Sequence, residues 1–483
     1  MRNPFLYIKN SMISFFDSFR TKEGRETYGK IRKITLPAFF ELFLISLKGV
    51  VDMIMVSNLG EQAVASVGLT QQPFFLLIAI FNAVNVGTTA LVSWNVGKGD
   101  HKKAAAITRQ AIIFNFGLGI IVSSVGFFGA RHFFPLMIDD AQVIAYSTNF
   151  FQIITLSLAF HAVSMGITAA FRGAGQTKIS MFYNLAGNAL HLLLNFMLIH
   201  GNLGFPALGV QGAAISASIA RGVTFLAAMS LLLFWKKSPI RLKLLSSWKP
   251  NFRTVRNIFS IGLPSAGEQF AIQTGLMVYT AMLASLGYYA FAAHTIAINI
   301  NMLAFAVSFA FGVSTTALVG QAVGRDDYDE AHRMAIFSAR TARLVTSVVT
   351  ISFIVFSRPI LGIYTDNPVV IQYGIPVFYF MALTQFVQSS NMSTAGALRG
   401  SGDTMYPLYA SIVGIWGTRL LLTALFVFVF NMGVAGGWFA FFLDQTVRSI
   451  VVKHRFNSGK WRGMKAVREA KAAARKAKME GRS

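Results

Sequence analysis

Two stretches of this chain read almost alike: VGTTALVSWNVGKGD at residues 86–100 and VSTTALVGQAVGRDD at residues 313–327, an offset of 313 − 86 = 227. Two further pairs keep this offset: LPAFFE at 36–41 with LPSAGE at 263–268, and FRGAGQT at 171–177 with LRGSGDT at 398–404. Chance similarity between apolar segments would not hold one register along so much of the chain. The sequence is therefore an internal repeat.

The composition indicates a helical membrane protein. The chain has 483 residues, of which 54% are hydrophobic and 13% charged, and its mean hydropathy is +0.55. Soluble domains carry about 25% charged residues. The apolar residues form runs long enough to cross a bilayer. Twelve spans are predicted, at about 34–58, 63–93, 105–130, 141–170, 178–200, 210–235, 257–285, 289–320, 333–357, 369–397, 405–430 and 433–452.

The basic residues predict the orientation and the domain boundaries. The net charge is +24, and the loops that alternate with the basic ones carry no Lys or Arg. This alternation follows the positive-inside rule and predicts that both termini are cytoplasmic. The predicted segments are a basic N-terminal segment, a six-helix lobe, a basic linker, a second six-helix lobe and a basic tail, at residues 1–33, 34–235, 236–256, 257–452 and 453–483.

The repeat unit contains six spans, which is an even number, so both copies enter the membrane in the same direction. Such repeats are related by an axis along the membrane normal and enclose a cavity between them. This architecture favours an alternating-access transporter that works as a monomer. A channel would more often surround one pore with several subunits, and a receptor would not need the repeat.

Ionisable residues in the first span mark a candidate site. Glu41, Lys48 and Asp52 follow one another at spacings of 7 and 4, which places them within about 40° on one helix face. Lys48 and Asp52 could pair as neighbours one turn apart. Ionisable groups inside the membrane usually mark ion or substrate pathways. The alternative is a buried ion pair that only helps to pack the span.

The seventh span carries the repeat mates of this face. Glu268 corresponds to Glu41, and Tyr279 corresponds to Asp52, so an acidic mate of Asp52 is absent. The coupling chemistry is therefore expected in the N-terminal lobe. Glu268, Gln273 and Tyr279, with Met53 from the first span, are predicted to line the substrate cavity. For Glu268 the alternative is a structural contact with polar neighbours such as Gln273.

The chain resembles the multidrug and toxic compound extrusion (MATE) family. The resemblance covers roughly residues 30–450 and rests on the repeated RGAGQT and RGSGDT motifs, the LP openings of spans 1 and 7, the VGKGD and VGRDD loops, and Asp52 placed 15 residues after Pro37. It implies two six-helix lobes in a V shape. It also implies export of amphipathic cations in exchange for inward Na⁺ or H⁺.

The resemblance assigns Asp52 as the coupling aspartate and as the candidate Na⁺ ligand. Its partners in span 5 correspond to Asn188, His191 and Asn195, which lie near one helix face. Many family members have a carboxylate where Asn195 stands and an Asn where His191 stands. These departures leave the coupling ion open. A lone membrane histidine can equally be a hydrogen-bonded packing residue.

The expected function is a secondary-active exporter of small amphipathic cations in a prokaryotic inner membrane. The alternative is a flippase for lipid-linked sugars, which would need cationic residues in its cavity. Lys48 is one such residue, but Asp52, Glu41 and Glu268 favour an acidic cavity. The sequence shows no metal-ligand cluster, phosphate loop or catalytic nucleophile, and it has no cysteine, so neither an enzyme nor a cofactor is expected. The basic tails are expected to contact anionic lipid rather than nucleic acid.

Overall fold

The computed structural model describes residues 21–243 and 248–470, and all regular structure in these two ranges is helical. The α-helices are α1 (Lys22–Ser57), α2 (Glu61–Gly97), α3 (His101–Phe133), α4 (Ala141–Leu156), α5 (Leu158–Gly173), α6 (Thr177–His200), α7 (Gly209–Phe234), α8 (Phe252–Ala284), α9 (Tyr288–Gly324), α10 (Tyr328–Val355), α11 (Ser357–Tyr364), α12 (Pro368–Ser401), α13 (Met405–Ile412), α14 (Leu421–Ala424) and α15 (Gly433–Asn457).

The helices account for twelve membrane spans. Within the described ranges, eight helical segments are long and apolar enough to cross a membrane by themselves, and the bent pair α4 and α5 makes a ninth. The remaining three spans are α1, α8 and α15, which carry the buried charges described below and are therefore less apolar. The predicted all-α fold with twelve spans in two repeats is confirmed.

The first helix begins earlier than the sequence predicted. Thr21 caps its N-terminus by accepting a hydrogen bond from the backbone N–H of Gly24 at 3.1 Å. Residues 22–33, assigned to an N-terminal segment, therefore belong to α1, while residues 1–20 lie outside the described part. The error has a simple cause: hydropathy detects only the part of a helix that lies in the membrane, and charged residues continue a helix well.

Two spans depart from regular helix. The fourth span is divided at Ser157, and its halves α4 and α5 are inclined by 50°. The eleventh span contains π-helical turns at Val413–Leu420 and Leu425–Val429, on either side of α14. π-Helical turns are frequent at functional sites. Hydropathy could predict neither feature, because it measures apolar length and not the path of the backbone.

The N lobe (α1–α7) and the C lobe (α8–α15) meet at one end. A shared core there joins Ile31, Ile34 and Trp94 of the N lobe to residues of α9 and α12, such as Leu318 and Leu398. Separate apolar cores fill the remainder of each lobe. The end where the lobes meet also carries the basic loops, and we call it the basic end. Two helical lobes joined at one end correspond to the expected V shape.

Candidate functional site

The polar cluster around Asp52 joins α1 to α6. The Lys48 ammonium lies 2.7 Å from Asp52 Oδ2 and 2.7 Å from His191 Nδ1. The side-chain amide of Asn195 donates a hydrogen bond to Asp52 Oδ1 at 2.9 Å. Asp52 remains 25% exposed and Lys48 21% exposed, so the ion pair is open on one side. We call these four residues the coupling cluster.

The hydrogen bonds define the charge states in this arrangement. An ammonium has only donors, so His191 must present the lone pair of Nδ1 to Lys48. The imidazole is therefore neutral with its proton on Nε2, Lys48 is protonated, and Asp52 is ionised. A second carboxylate is not needed to hold this arrangement, because the tethered ammonium supplies the positive charge that Asp52 requires.

Two residues predicted to belong with Asp52 lie elsewhere. Asn188, one of the three α6 residues suggested by the resemblance, makes no hydrogen bond within the described part of the chain. Glu41 is buried at a different site, where Arg172 Nη2 donates to Glu41 Oε1 at 2.6 Å and Asn184 Nδ2 donates to the same oxygen at 2.9 Å. Ser180 adds a bond of 3.3 Å to Oε2.

The C lobe repeats the Glu41 site. Arg399 Nη2 donates to both oxygens of Glu268, at 2.6 and 2.8 Å, and Ser411 donates to Oε1 at 3.3 Å. Both arginines belong to the repeated RG motifs, and both Glu–Arg pairs are 131 residues apart in sequence. A bidentate or doubly bonded carboxylate has little capacity left for a ligand. The sequence argument for an acidic cavity counted Glu41 and Glu268 as free charges, and the structure corrects it.

A second charged cluster, which the sequence analysis missed, lies inside the C lobe. Asp444 of α15 is fully buried and accepts bonds from Arg419 Nε at 2.9 Å and from Arg448 Nε at 2.7 Å. The Arg419 guanidinium also stacks 3.9 Å from the Phe441 ring centroid and 5.5 Å from that of Tyr279. Three ionisable residues within apolar spans were the available signal for this cluster.

The residues predicted to line the substrate cavity differ in exposure. Tyr279 is 1% exposed and packs in the C-lobe core, so it does not face an open cavity in this conformation. Glu268 is likewise buried. Gln273 and Met53 are partly exposed and remain candidates for contact with a substrate.

One further cation of the N lobe escaped the sequence analysis. Arg221 of α7 donates from Nη1 to the Ile154 carbonyl and to Ser157 Oγ, both at 3.2 Å. It thereby bridges the break between α4 and α5. Its charge lies within electrostatic range of both Asp52 and Lys48. The N lobe interior is therefore more basic than the sequence suggested.

Metal binding was considered for Asp52. Within residues 21–243 and 248–470, no group of three or more His, Cys, Asp or Glu side chains is arranged to hold a metal ion. The Asp52 carboxylate and Asn195 Oδ1, a buried oxygen without a hydrogen-bond partner, are the oxygens available to a Na⁺ ion here. The Lys48 ammonium already occupies the Asp52 carboxylate, so Na⁺ would have to displace it.

The fold and these sites agree with comparisons to known proteins. The family model MatE matches residues 37–197 and 264–425, one segment in each lobe. The chain therefore belongs to the MatE family of multidrug and toxic compound extrusion transporters.

Relatives of similar length support this assignment. A protein of Bacillus subtilis named uncharacterized transporter YisQ is 28% identical over 446 residues, which cover 92% of this chain and 98% of that protein. The probable multidrug resistance protein NorM of Thermotoga maritima is 26% identical over 453 residues, covering 93% and 96%. A solved transporter of the MOP superfamily from Pyrococcus furiosus has a TM-score of 0.84 at 20% identity and covers 90% of this chain and 96% of its own, which shows a shared fold.

Proposed function

We propose that this chain is a secondary-active antiporter that exports amphipathic drugs, organic cations among them, in exchange for an inward cation. The names of relatives such as the NorM protein support drug efflux as the activity. Because those relatives are bacterial, we place the chain in a cell inner membrane with the basic end, and both termini, in the cytoplasm. The relatives lend no support to the lipid-linked sugar flippase alternative.

The observation that carries the proposal is the Lys48 ammonium held between Asp52 and His191. A proton that reaches Asp52 neutralises the carboxylate and removes its charge-assisted bond to Lys48. The cluster then carries one more positive charge, so a cationic drug in the cleft between the lobes is repelled. Proton binding and drug binding oppose each other in this way, as antiport requires.

The same bonds connect the ion to the protein conformation. Both Asp52–Asn195 and Lys48–His191 join α1 to α6, so protonation of Asp52 weakens the contact between these helices. Pro37 interrupts the backbone hydrogen bonds of α1 and allows it to bend. We infer that the protonated protein releases the drug as α1 moves.

Of the two candidate ions, the geometry favours the proton. A proton adds to Asp52 without needing room, whereas Na⁺ prefers several oxygen ligands and must displace an ammonium of equal charge. Four of the nearest polar atoms are nitrogens of Lys48, His191, Asn195 and Arg221, which are poor Na⁺ ligands.

Purified protein in liposomes tests the proposal directly. Efflux of ethidium, an amphipathic aromatic cation, is measured with an imposed pH gradient, with an imposed Na⁺ gradient, and with neither. We expect uphill efflux with the pH gradient and little or none with Na⁺ alone. Efflux that follows the Na⁺ gradient would contradict the choice of ion, and no gradient-driven efflux in either case would contradict antiport.

A further inference from the structure

Two hydrogen bonds between the lobes are related by the internal repeat. The indole Nε1 of Trp94 in the N lobe donates to the carbonyl of Gly400 in the C lobe at 2.6 Å. The amide Nε2 of Gln321 in the C lobe donates to the carbonyl of Gly173 in the N lobe at 2.9 Å. The donors are repeat mates, since 321 − 94 = 227, and so are the acceptors, since 400 − 173 = 227.

The acceptors are the glycines of the repeated RG motifs, which the coupling chemistry does not use. Gly173 is the last residue of α5, and Gly400 lies one residue before the end of α12. Carbonyl groups in the last turn of a helix have no partner within the helix. Each bond therefore satisfies, from the other lobe, a group that would be left unpaired if the lobes separated at this end.

Close backbone contact accompanies the two bonds. A Cβ atom at Gly97 would collide with the carbonyl of Gln321, and one at Gly324 would collide with the carbonyl of Trp94. Gly97 and Gly324 are themselves repeat mates, 227 residues apart. The last turns of α2 and α9 therefore touch backbone to backbone, and only glycine permits this approach.

The other polar contacts between the lobes are weaker. The ion pairs Lys30–Glu330 at 2.7 Å and Glu23–Arg333 at 3.2 Å also lie at the basic end, but each involves at least one well-exposed side chain. Exposed pairs contribute little to stability. Among the described residues, every hydrogen bond or ion pair that joins the lobes lies at this end, so the opposite end is free to open.

The C-terminal segment, residues 460–470, supports this contact from the C-lobe side. Arg468 donates to the Gly402 carbonyl at 2.7 Å and to the Ser260 carbonyl at 2.8 Å. Lys465 donates to the Gly324 carbonyl at 3.2 Å, and to Val323 and Asp326 close by. Gly402 lies against the indole ring of Trp94. The segment thereby fixes the surface onto which Trp94 docks.

We propose that Trp94 and Gln321 form a two-fold latch that holds the basic end closed, and that the C-terminal segment strengthens the Trp94 half. The inference rests on the alternating-access part of the proposed function, in which the basic end opens once per cycle. The two halves are unequal. The Trp94 bond is buried and the Gln321 bond is only partly buried, so loss of Trp94 leaves the more costly unpaired carbonyl.

Distances between spin labels test the latch, and the natural absence of cysteine gives a clean background for labelling. One pair is placed at Lys102→Cys and Asp329→Cys at the basic end, and the other at Glu61→Cys and Tyr288→Cys at the opposite end. All four sites are exposed, and each pair consists of repeat mates. The labelled protein is measured in lipid nanodiscs without drug or ion gradient.

We expect Trp94→Phe to increase the population with the longer distance at the basic end and the shorter distance at the opposite end. One lost hydrogen bond should shift this equilibrium roughly fivefold. Gln321→Leu should shift it less, and the double variant most. The matched controls remove the same kinds of bond within one lobe: Trp416→Phe breaks the bond to the Ala271 carbonyl, and Gln110→Leu breaks the bond to the Lys249 carbonyl.

Distance distributions of the double variant equal to those of the parent would overturn the latch, as would an equal shift in Trp416→Phe. A second route avoids deletion of any donor: Gly97→Ala inserts a methyl group against the Gln321 carbonyl and should also open the basic end. Gly117→Ala, where a Cβ atom meets open space, is its control. Unchanged distances in Gly97→Ala would likewise contradict the proposal. Because neither drug nor gradient is used, failure of the latch is separate from failure of antiport.

Discussion

The interiors of the two lobes show what a repeat preserves and what it changes. Both lobes keep a buried glutamate on the first helix of the repeat, paired with the arginine of an RG motif. The ion pair of the coupling cluster in the N lobe is partly exposed, whereas Asp444 in the C lobe is sealed between two arginines. The repeated pairs are therefore structural, and chemistry that changes during transport is confined to the N lobe.

The largest expected effect is on the sealed cluster of the C lobe. Asp444→Asn would leave Arg419 and Arg448 buried without a counter-charge. Breaking a buried ion pair by removal of one partner costs about 3–5 kcal/mol. We expect a large fall in the thermal midpoint of the purified protein, or failure to accumulate in the membrane. A midpoint close to that of the parent would show that Asp444 is not required for stability.

An intermediate effect should distinguish the repeated pairs from the coupling cluster. Glu41→Gln and Glu268→Gln each leave one arginine without its carboxylate, so both should lower stability by a similar amount, of order 2 kcal/mol. Because both carboxylates are occupied, efflux by the protein that remains folded should fall equally for cationic and neutral drugs. A selective loss of cationic drugs in Glu268→Gln would instead support the original assignment of Glu268 to the substrate site.

The smallest effect on folding, with a specific effect on transport, is expected for Lys48. Lys48→Met keeps an unbranched side chain of similar length and removes the ammonium that Asp52 holds. A proton then no longer has to displace a tethered cation, so proton-driven efflux should extend to higher pH with drug binding preserved. The measurement is the pH profile of ethidium efflux from liposomes. An unchanged profile would show that Lys48 and Asp52 are not coupled.

Much of the architecture follows from the sequence because it depends on features that repeat or accumulate along the chain. Apolar run length predicts the spans, and the constant offset predicts two lobes. The pairing of Asp52 with Lys48 was also predictable, because a helix brings residues four apart onto one face. The i and i+4 relation holds again for Asp444 and Arg448, but the argument was not applied to α15.

The partners of Glu41 and Glu268 could not be derived in this way, since an ion pair across 131 residues depends on how helices pack. A signal was nevertheless present. Each repeat contains one buried glutamate and one arginine at equal separation, and a repeated buried charge needs a repeated counter-charge. The break at Ser157 and the π-helical turns of the eleventh span left no such signal, because they depend on contacts with neighbouring helices.

The measurement that tests the central claim most directly is proton-driven efflux by Asp52→Asn, compared with the parent and with Glu41→Gln on the same helix. Asparagine keeps the shape of Asp52 and can still contact Asn195, but it cannot be protonated or hold the Lys48 ammonium as an ion pair. We predict that Asp52→Asn inserts and folds normally and binds ethidium, yet shows no more pH-driven efflux than empty liposomes. Efflux at the level of the parent would contradict the assignment of Asp52 as the coupling residue.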